Sequence, residues 1–165
     1  MIRKSFKLNP NFCLININEE SKKSECVFDH WSIDHFYWQG FVYIIIHHFL
    51  RLKKIKHMII LTGILTFLHI IEEYLGNTQK LSIEGIIADY IGPLIDKRID
   101  PSLREIDNDY LDNSIGDVFS GFISCVLIII YCLKFKQLPY FYLIFSIIIV
   151  YVLLRYKISI VYKKK

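Results

Sequence analysis

Alanine is nearly missing from this chain: one residue in 165, Ala88, stands against 31 isoleucines. The skew fits an AT-rich genome whose codons favour Ile, Lys, Asn and Tyr, so single isoleucines carry little functional meaning. Cysteine is also sparse, and Cys13, Cys26, Cys125 and Cys132 are too scattered for a zinc-ligand pattern. They read as small buried hydrophobes or unpaired thiols, the last two inside an apolar run. A signal peptide is not expected, because Asn9, Asn11, Asn16 and Asn18 break every candidate apolar stretch before it reaches about 7 to 15 residues. Insertion then rests on the first transmembrane helix. The chain has no internal repeat, no heptad seam, no nucleophile motif and no base-stacking or base-reading motif.

What is abundant is apolar surface. At 53% hydrophobic residues and a mean hydropathy of +0.36, one domain of this size cannot bury what it carries, and the excess calls for lipid. The expected fold is all-α, a multi-pass transmembrane bundle of four spans near residues 34–50, 57–75, 114–133 and 138–155. The first run, Phe36 to Leu50, is short against the roughly 20 residues a span needs. A polar N-terminal segment (1–33) precedes the transmembrane domain (34–155), which contains an extended polar loop (76–113), and a basic tail (156–165) follows. The turn RLKKIK joins the first two runs as an antiparallel hairpin and KFKQLP joins the last two. Gly76-Asn77 reads as a helix stop. Gly92-Pro93 and Asp100-Pro101 read as turns around a short helix near Ile83 to Ile91.

The net charge of +4 is concentrated in basic clusters at the edges of the apolar runs. There it sets orientation and meets headgroups, and no nucleic-acid partner is expected. Four spans put both termini and the long loop on one side, with fourteen Lys and Arg against six in the other two loops. The dense short turn RLKKIK argues the opposite way; the sequence leans towards cytoplasmic termini.

Ionisable residues inside or at the edge of these spans are costly, each about 2.5–3.5 kcal/mol at a helix centre, and so point to partners or water. They fall into three clusters: Asp34 with His35, His69 with Glu72 and Glu73, and Asp109 with Asp112 and Asp117. Alternating span direction brings all three to one membrane face. His69, Glu72 and Glu73 share a helix face, and Asp109, Asn113, Asp117 and Gly121 repeat every four residues, with Gly121 able to admit a neighbouring helix. Plainer readings stand beside this one: Asp112 or Asn113 as an N-cap, Ser114 with Asp117 as a capping box, His69 as a packing residue, and His35 in the headgroup region. His47 and His48 read as interfacial, at the opposite face. The candidate binding cluster is therefore His35, His69, Glu72, Glu73, Asn77, Asp109, Asn113 and Asp117. Its candidate metal ligands are His35, Glu73, Asp109 and Asp117.

The order Trp31-Ser32…His35…Gly40, then HIIEEYLGN, then DNDYLDNSIGDVFSG resembles an uncharacterised family of bacterial inner-membrane proteins, and more distantly VanZ-like proteins. His35, Glu73, Asn77, Asp109, Asn113, Ser114, Gly116 and Asp117 match; the family's second Glu falls on Gly76 and its Trp on Glu72. The resemblance covers roughly residues 31 to 133 and implies action at a cell envelope. The residues name no cofactor. Three functions are expected from them: a membrane protein binding a lipid headgroup or divalent cation, a metal-dependent enzyme acting on a lipid phosphate, or a non-catalytic scaffold.

Overall fold

The structure, a computed structural model, describes residues 8, 13–15, 26–79, 90 and 110–161. It is all-α: four long helices and, among the described residues, one isolated bridge between Ile15 and Phe28 in place of any strand. Helix α1 spans His30–Leu50, α2 Ile55–Gln79, α3 Leu111–Phe135 and α4 Tyr140–Val161.

Helix α1 starts at His30 because Asp29 caps it. The Asp29 carboxylate accepts from the N–H of Trp31 (2.8 Å) and Ser32 (3.3 Å), and Ser32 Oγ accepts from the Asp29 N–H (3.2 Å). This capping box draws Trp31 and Ser32 into the helix ahead of the apolar run. The basic turns are tight. α1 and α3 each end in a left-handed residue, Arg51 (φ 48°) and Lys136 (φ 57°), whose N–H groups return to His47 and Cys132 carbonyls. Cations there also suit the negative end of a helix dipole.

Two local expectations fail. Gly76 and Asn77 do not stop α2, which runs to Gln79. Nor does α3 use a polar cap: its N-cap is Tyr110, with no side-chain cap bond, so Asp112 and Asn113 lie inside the first turn. The side chains proposed as caps are instead spent on long-range contacts. Asn113 donates to the Cys26 carbonyl at 2.8 Å, and Asp117 accepts from Ser32. The turns at Gly92-Pro93 and Asp100-Pro101, and all of the expected short helix except exposed Tyr90, lie outside the described residues.

Helix α1 sits centrally, against α3 and α4, while α2 leans on α3. Close approach is bought by glycine: a Cβ on Gly40 would overlap Ser124 Oγ and the Tyr142 hydroxyl. Tyr142 pairs with Ser124 (2.7 Å) and donates to the Phe36 carbonyl (3.1 Å), pinning α4 to both neighbours. Near the basic turns the core is apolar, with Tyr43, Ile44, Met58, Leu61, Leu65, Cys125, Ile128 and Cys132. At the other end it is polar: Ser32, Asp34, His35, Gln39, His69, Asn113 and Asp117 are all buried. The outward faces carry Ile59, Ile60, Phe67, Ile70, Phe119, Ile130, Ile144 and Ile148, each at least half exposed. Polar side chains inside and apolar ones outside reverse the partition of a water-soluble core. The Ile55–Leu75 part of α2 and the whole of α3 are long and apolar enough to cross a membrane, and α4 holds a shorter apolar stretch, Tyr140–Ile149.

Two cysteines and a histidine differ from expectation. Cys13 and Cys26 form a disulfide, with Cα atoms 4.6 Å apart, whereas Cys125 and Cys132 are free and buried as read. Sequence spacing alone could not pair them. His47 is buried beside Tyr43, and only His48 is exposed, bonded to the Tyr140 hydroxyl at 3.0 Å.

Candidate functional site

The site is built where the start of α1, the later part of α2 and the start of α3 meet. From α1 come Ser32, His35 and Gln39, one residue per turn on one face; from α2 come His69, Glu72 and Glu73; from α3 comes Asp117. The two imidazoles stack with ring centroids 4.6 Å apart, and His69 Nε2 lies 2.8 Å from His35 Nδ1. His35 Nε2 faces two carboxylates, 3.5 Å from Glu73 Oε1 and 3.8 Å from Asp117 Oδ2. His69 Nε2 is 3.7 Å from the same Glu73 oxygen. Asp117 is anchored by Ser32 Oγ, which donates to its Oδ1 at 2.5 Å.

Gln39 sets the protons. Its amide nitrogen points at Cys125 Sγ (3.6 Å), which turns its oxygen to His69 Nδ1 (2.7 Å). An amide oxygen only accepts, so His69 carries its proton on Nδ1 and, when neutral, presents a lone pair at Nε2. His35 Nδ1 then donates to that lone pair, and His35 Nε2 faces Glu73 and Asp117, an ion pair when the ring is protonated. A proton or a cation can sit between ring and carboxylates, and the choice between the two is the chemistry of the site.

Four groups, His35, His69, Glu72 and Glu73, can each bring one ligand atom within 4.8 Å of the others. Ligands around a tetrahedral zinc-type ion sit about 2.0–2.2 Å from it, which spaces them about 3.3–3.6 Å apart. Glu73 Oε1 lies 3.5 Å from His35 Nε2 and 3.7 Å from His69 Nε2, close to that spacing, within a group whose ligand atoms spread to 4.8 Å. Gln39 also supplies what metal-bound histidines need, an acceptor on the far ring nitrogen that fixes tautomer and orientation.

Two openings reach the cluster. One, of about 180 Å³ between α1 and α2, is lined by His35, Trp38, Gln39, His69 and Glu72. The other, of about 450 Å³ between α2 and α3, is walled by Ile70, Tyr74, Ile115, Val118 and Phe122, with Thr66, Glu73 and Ser114 as polar members.

The sequence-derived residues thus divide. His35, His69, Glu72, Glu73 and Asp117 come together. Asn113 lies in the same layer, but its amide is committed to the Cys26 carbonyl. Asn77 is on α2 with its side chain outside the described residues, and Asp109 lies outside them altogether. Ser32 and Gln39 were not anticipated. Their trace in the sequence is helical spacing alone: both share the His35 face, and neither carries a charge. Gly121, expected to admit a helix, receives Gln39: a Cβ there would overlap Gln39 Oε1 and lie 3.0 Å from His69 Nδ1. Compared with protein-family models, curated proteins and solved structures, the chain gives no match, so the functional reading rests on this geometry.

Proposed function

We propose that this is a four-span membrane protein that holds a divalent cation of the zinc class at one membrane face, with His35, His69 and Glu73 as ligands and Glu72 or Asp117 completing the set. The observation that carries the reading is the pairing of two imidazoles and two carboxylates within 4.8 Å, with the far nitrogen of His69 held by Gln39. Imidazole with carboxylate suits zinc and its neighbours better than calcium or magnesium, which favour all-oxygen sites. Binding displaces the proton shared between the rings, as metal binding to imidazole generally does. Four spans are supported by helix lengths of 21, 25, 25 and 22 residues and by apolar outward faces.

Elemental analysis of detergent-purified protein tests this. Wild type should carry close to one equivalent of a transition-type metal. Glu73→Gln and His69→Ala should each lower that content at least tenfold without loss of helicity by circular dichroism. Metal-free wild type, after purification without chelator and with zinc added back, would sink the cation reading and leave a proton-sharing cluster that locks three helices together.

A second reading, a metal-dependent enzyme acting on a lipid phosphate, is favoured by the cleft between α2 and α3. Its walls are mostly apolar and Glu73 belongs both to its lining and to the cation site, so a lipid chain lying there would bring its head to the ion. The VanZ-like resemblance agrees with a role at a cell envelope in either case.

A further inference from the structure

The first observation is covalent. Cys13 and Cys26 are disulfide-bonded, and the segments they join are tied together by Val27 N–H to Cys13 O (3.0 Å) and Phe28 N–H to Leu14 O (2.9 Å). This closed loop is built onto the site end of the bundle. The fully buried Asn113 donates to the Cys26 carbonyl, a Cβ on Gly116 would overlap the Val27 carbonyl, and Phe28 lies against Phe119 at 6.4 Å. Immediately after it come Asp29, which caps α1, and Ser32, which anchors Asp117. The loop and the His/Glu/Asp cluster therefore share one face.

The second observation is electrostatic and comes from the other face. Both short turns there are basic: Arg51, Lys53, Lys54 and Lys56 in one, Lys134 and Lys136 in the other. Short loops rich in Lys and Arg stay in the cytoplasm. A disulfide persists in secretory, periplasmic or extracellular space and is reduced by glutathione in the cytosol. The two observations are independent and agree. The fourteen Lys and Arg of the two termini and the long loop, Arg155, Lys157 and Lys163 to Lys165 among them, pull the other way. They express a bias, whereas a thiol pair in the cytosol is chemically reduced, so the disulfide decides.

We infer that the His35/His69/Glu73 site opens to the oxidising side of its membrane, the side of the Cys13–Cys26 disulfide, with the two basic turns in the cytoplasm, so that its cation is drawn from outside. This reverses the orientation towards which the charge count leans, and it rests on the membrane reading above. What the site can meet changes with it: extracellular or lumenal ions and outer-leaflet lipids, not cytosolic metabolites.

The experiment has three arms in cells expressing the full chain. Lys54→Cys and Lys136→Cys, both at exposed turn positions, are treated with a membrane-impermeant maleimide before and after permeabilisation. Both should label only afterwards; labelling of either in intact cells overturns the inference. Cys13 and Cys26 are acid-trapped, and free thiols blocked, then reduced and tagged with a polyethylene-glycol maleimide. A two-tag shift that disappears in Cys13→Ser is expected, and a pair found reduced overturns the inference. Finally, right-side-out vesicles carrying zinc-loaded protein are given an impermeant chelator, which should strip the metal; retention there with stripping in inside-out vesicles overturns it. If the purified protein binds no zinc, the cation reading falls while the first two arms still decide the orientation.

Discussion

Gln39 and Gly121 show how much a single residue can govern here. Gln39 is buried, makes both of its amide contacts inside the bundle, and reaches His69 only because Gly121 leaves the space. We expect Gln39→Ala to weaken zinc binding about 10–100-fold, the usual effect of removing the partner that orients a liganding histidine. Competition titration against a chelating dye would measure it, and an unchanged affinity would show that Gln39 only fills space. Gly121→Ala forces Gln39 or His69 to move and should cost about 1–3 kcal/mol in addition to affinity, read as a lower thermal midpoint in detergent. Tyr142→Phe is the control away from the site: it leaves Ser124 Oγ and the Phe36 carbonyl without that hydroxyl, costing about 1–3 kcal/mol with metal content intact. Residue identity was partly legible. His35, Glu73 and Asp117 stand out in sequence because charge in an apolar run is expensive, whereas Gln39 and Ser32 cost little in any context and so give no such signal.

The elements were more legible than their ends. All four helices cover the runs expected from apolar length, since the hydrophobic period is averaged over twenty residues and survives local exceptions. Boundaries failed where one polar side chain had two uses. Asn113 and Asp117 resemble capping residues, but the partners they reach across the fold outcompeted the cap, and Gly76-Asn77 was carried through by the helix on either side. The disulfide was beyond sequence reach because its 13-residue separation matches no metal or framework spacing. At this scale the loop it closes is the testable element. Cys13→Ser removes a constraint worth about 3 kcal/mol by loop-closure entropy, and the thermal midpoint of the variant should fall to that of reduced wild type. Equal midpoints for oxidised wild type and the variant would mean that the loop adds nothing to the hold of Asn113 on Cys26.

For the whole molecule, the prediction concerns surroundings. Leu65 is buried within α2 and Ile147 faces outward from α4. If the outward face is lipid, cysteine at either position should be unreactive to a water-soluble maleimide, while Lys54→Cys in permeabilised membranes reacts readily. A freely reactive Ile147→Cys would place α4 in water and remove the fourth span. The abundance of apolar surface was visible in composition, at 53% hydrophobic residues. The identity of the central helix was not, since the approach of α1 to α3 and α4 depends on Gly40, which admits Ser124 and Tyr142, and on Gly121, which admits Gln39.

That α1 packs more on α3 than on its sequence neighbour α2 has a consequence for synthesis. The ribosome delivers α1 and α2 first, and at that moment His35, His69 and Glu73 lack Asp117, Gln39 lacks Cys125, and the Cys26 carbonyl awaits Asn113. On the four-span reading, a nascent hairpin in this state would carry these polar groups in or beside hydrocarbon, ahead of their α3 partners, until some forty more residues are made. Its early life would then depend on shelter at the insertion machinery, and a chain halted after α2 would be a ready substrate for membrane proteases. Truncation before residue 110 should give a product that is cleared rapidly, whereas the full chain, completed and oxidised, persists.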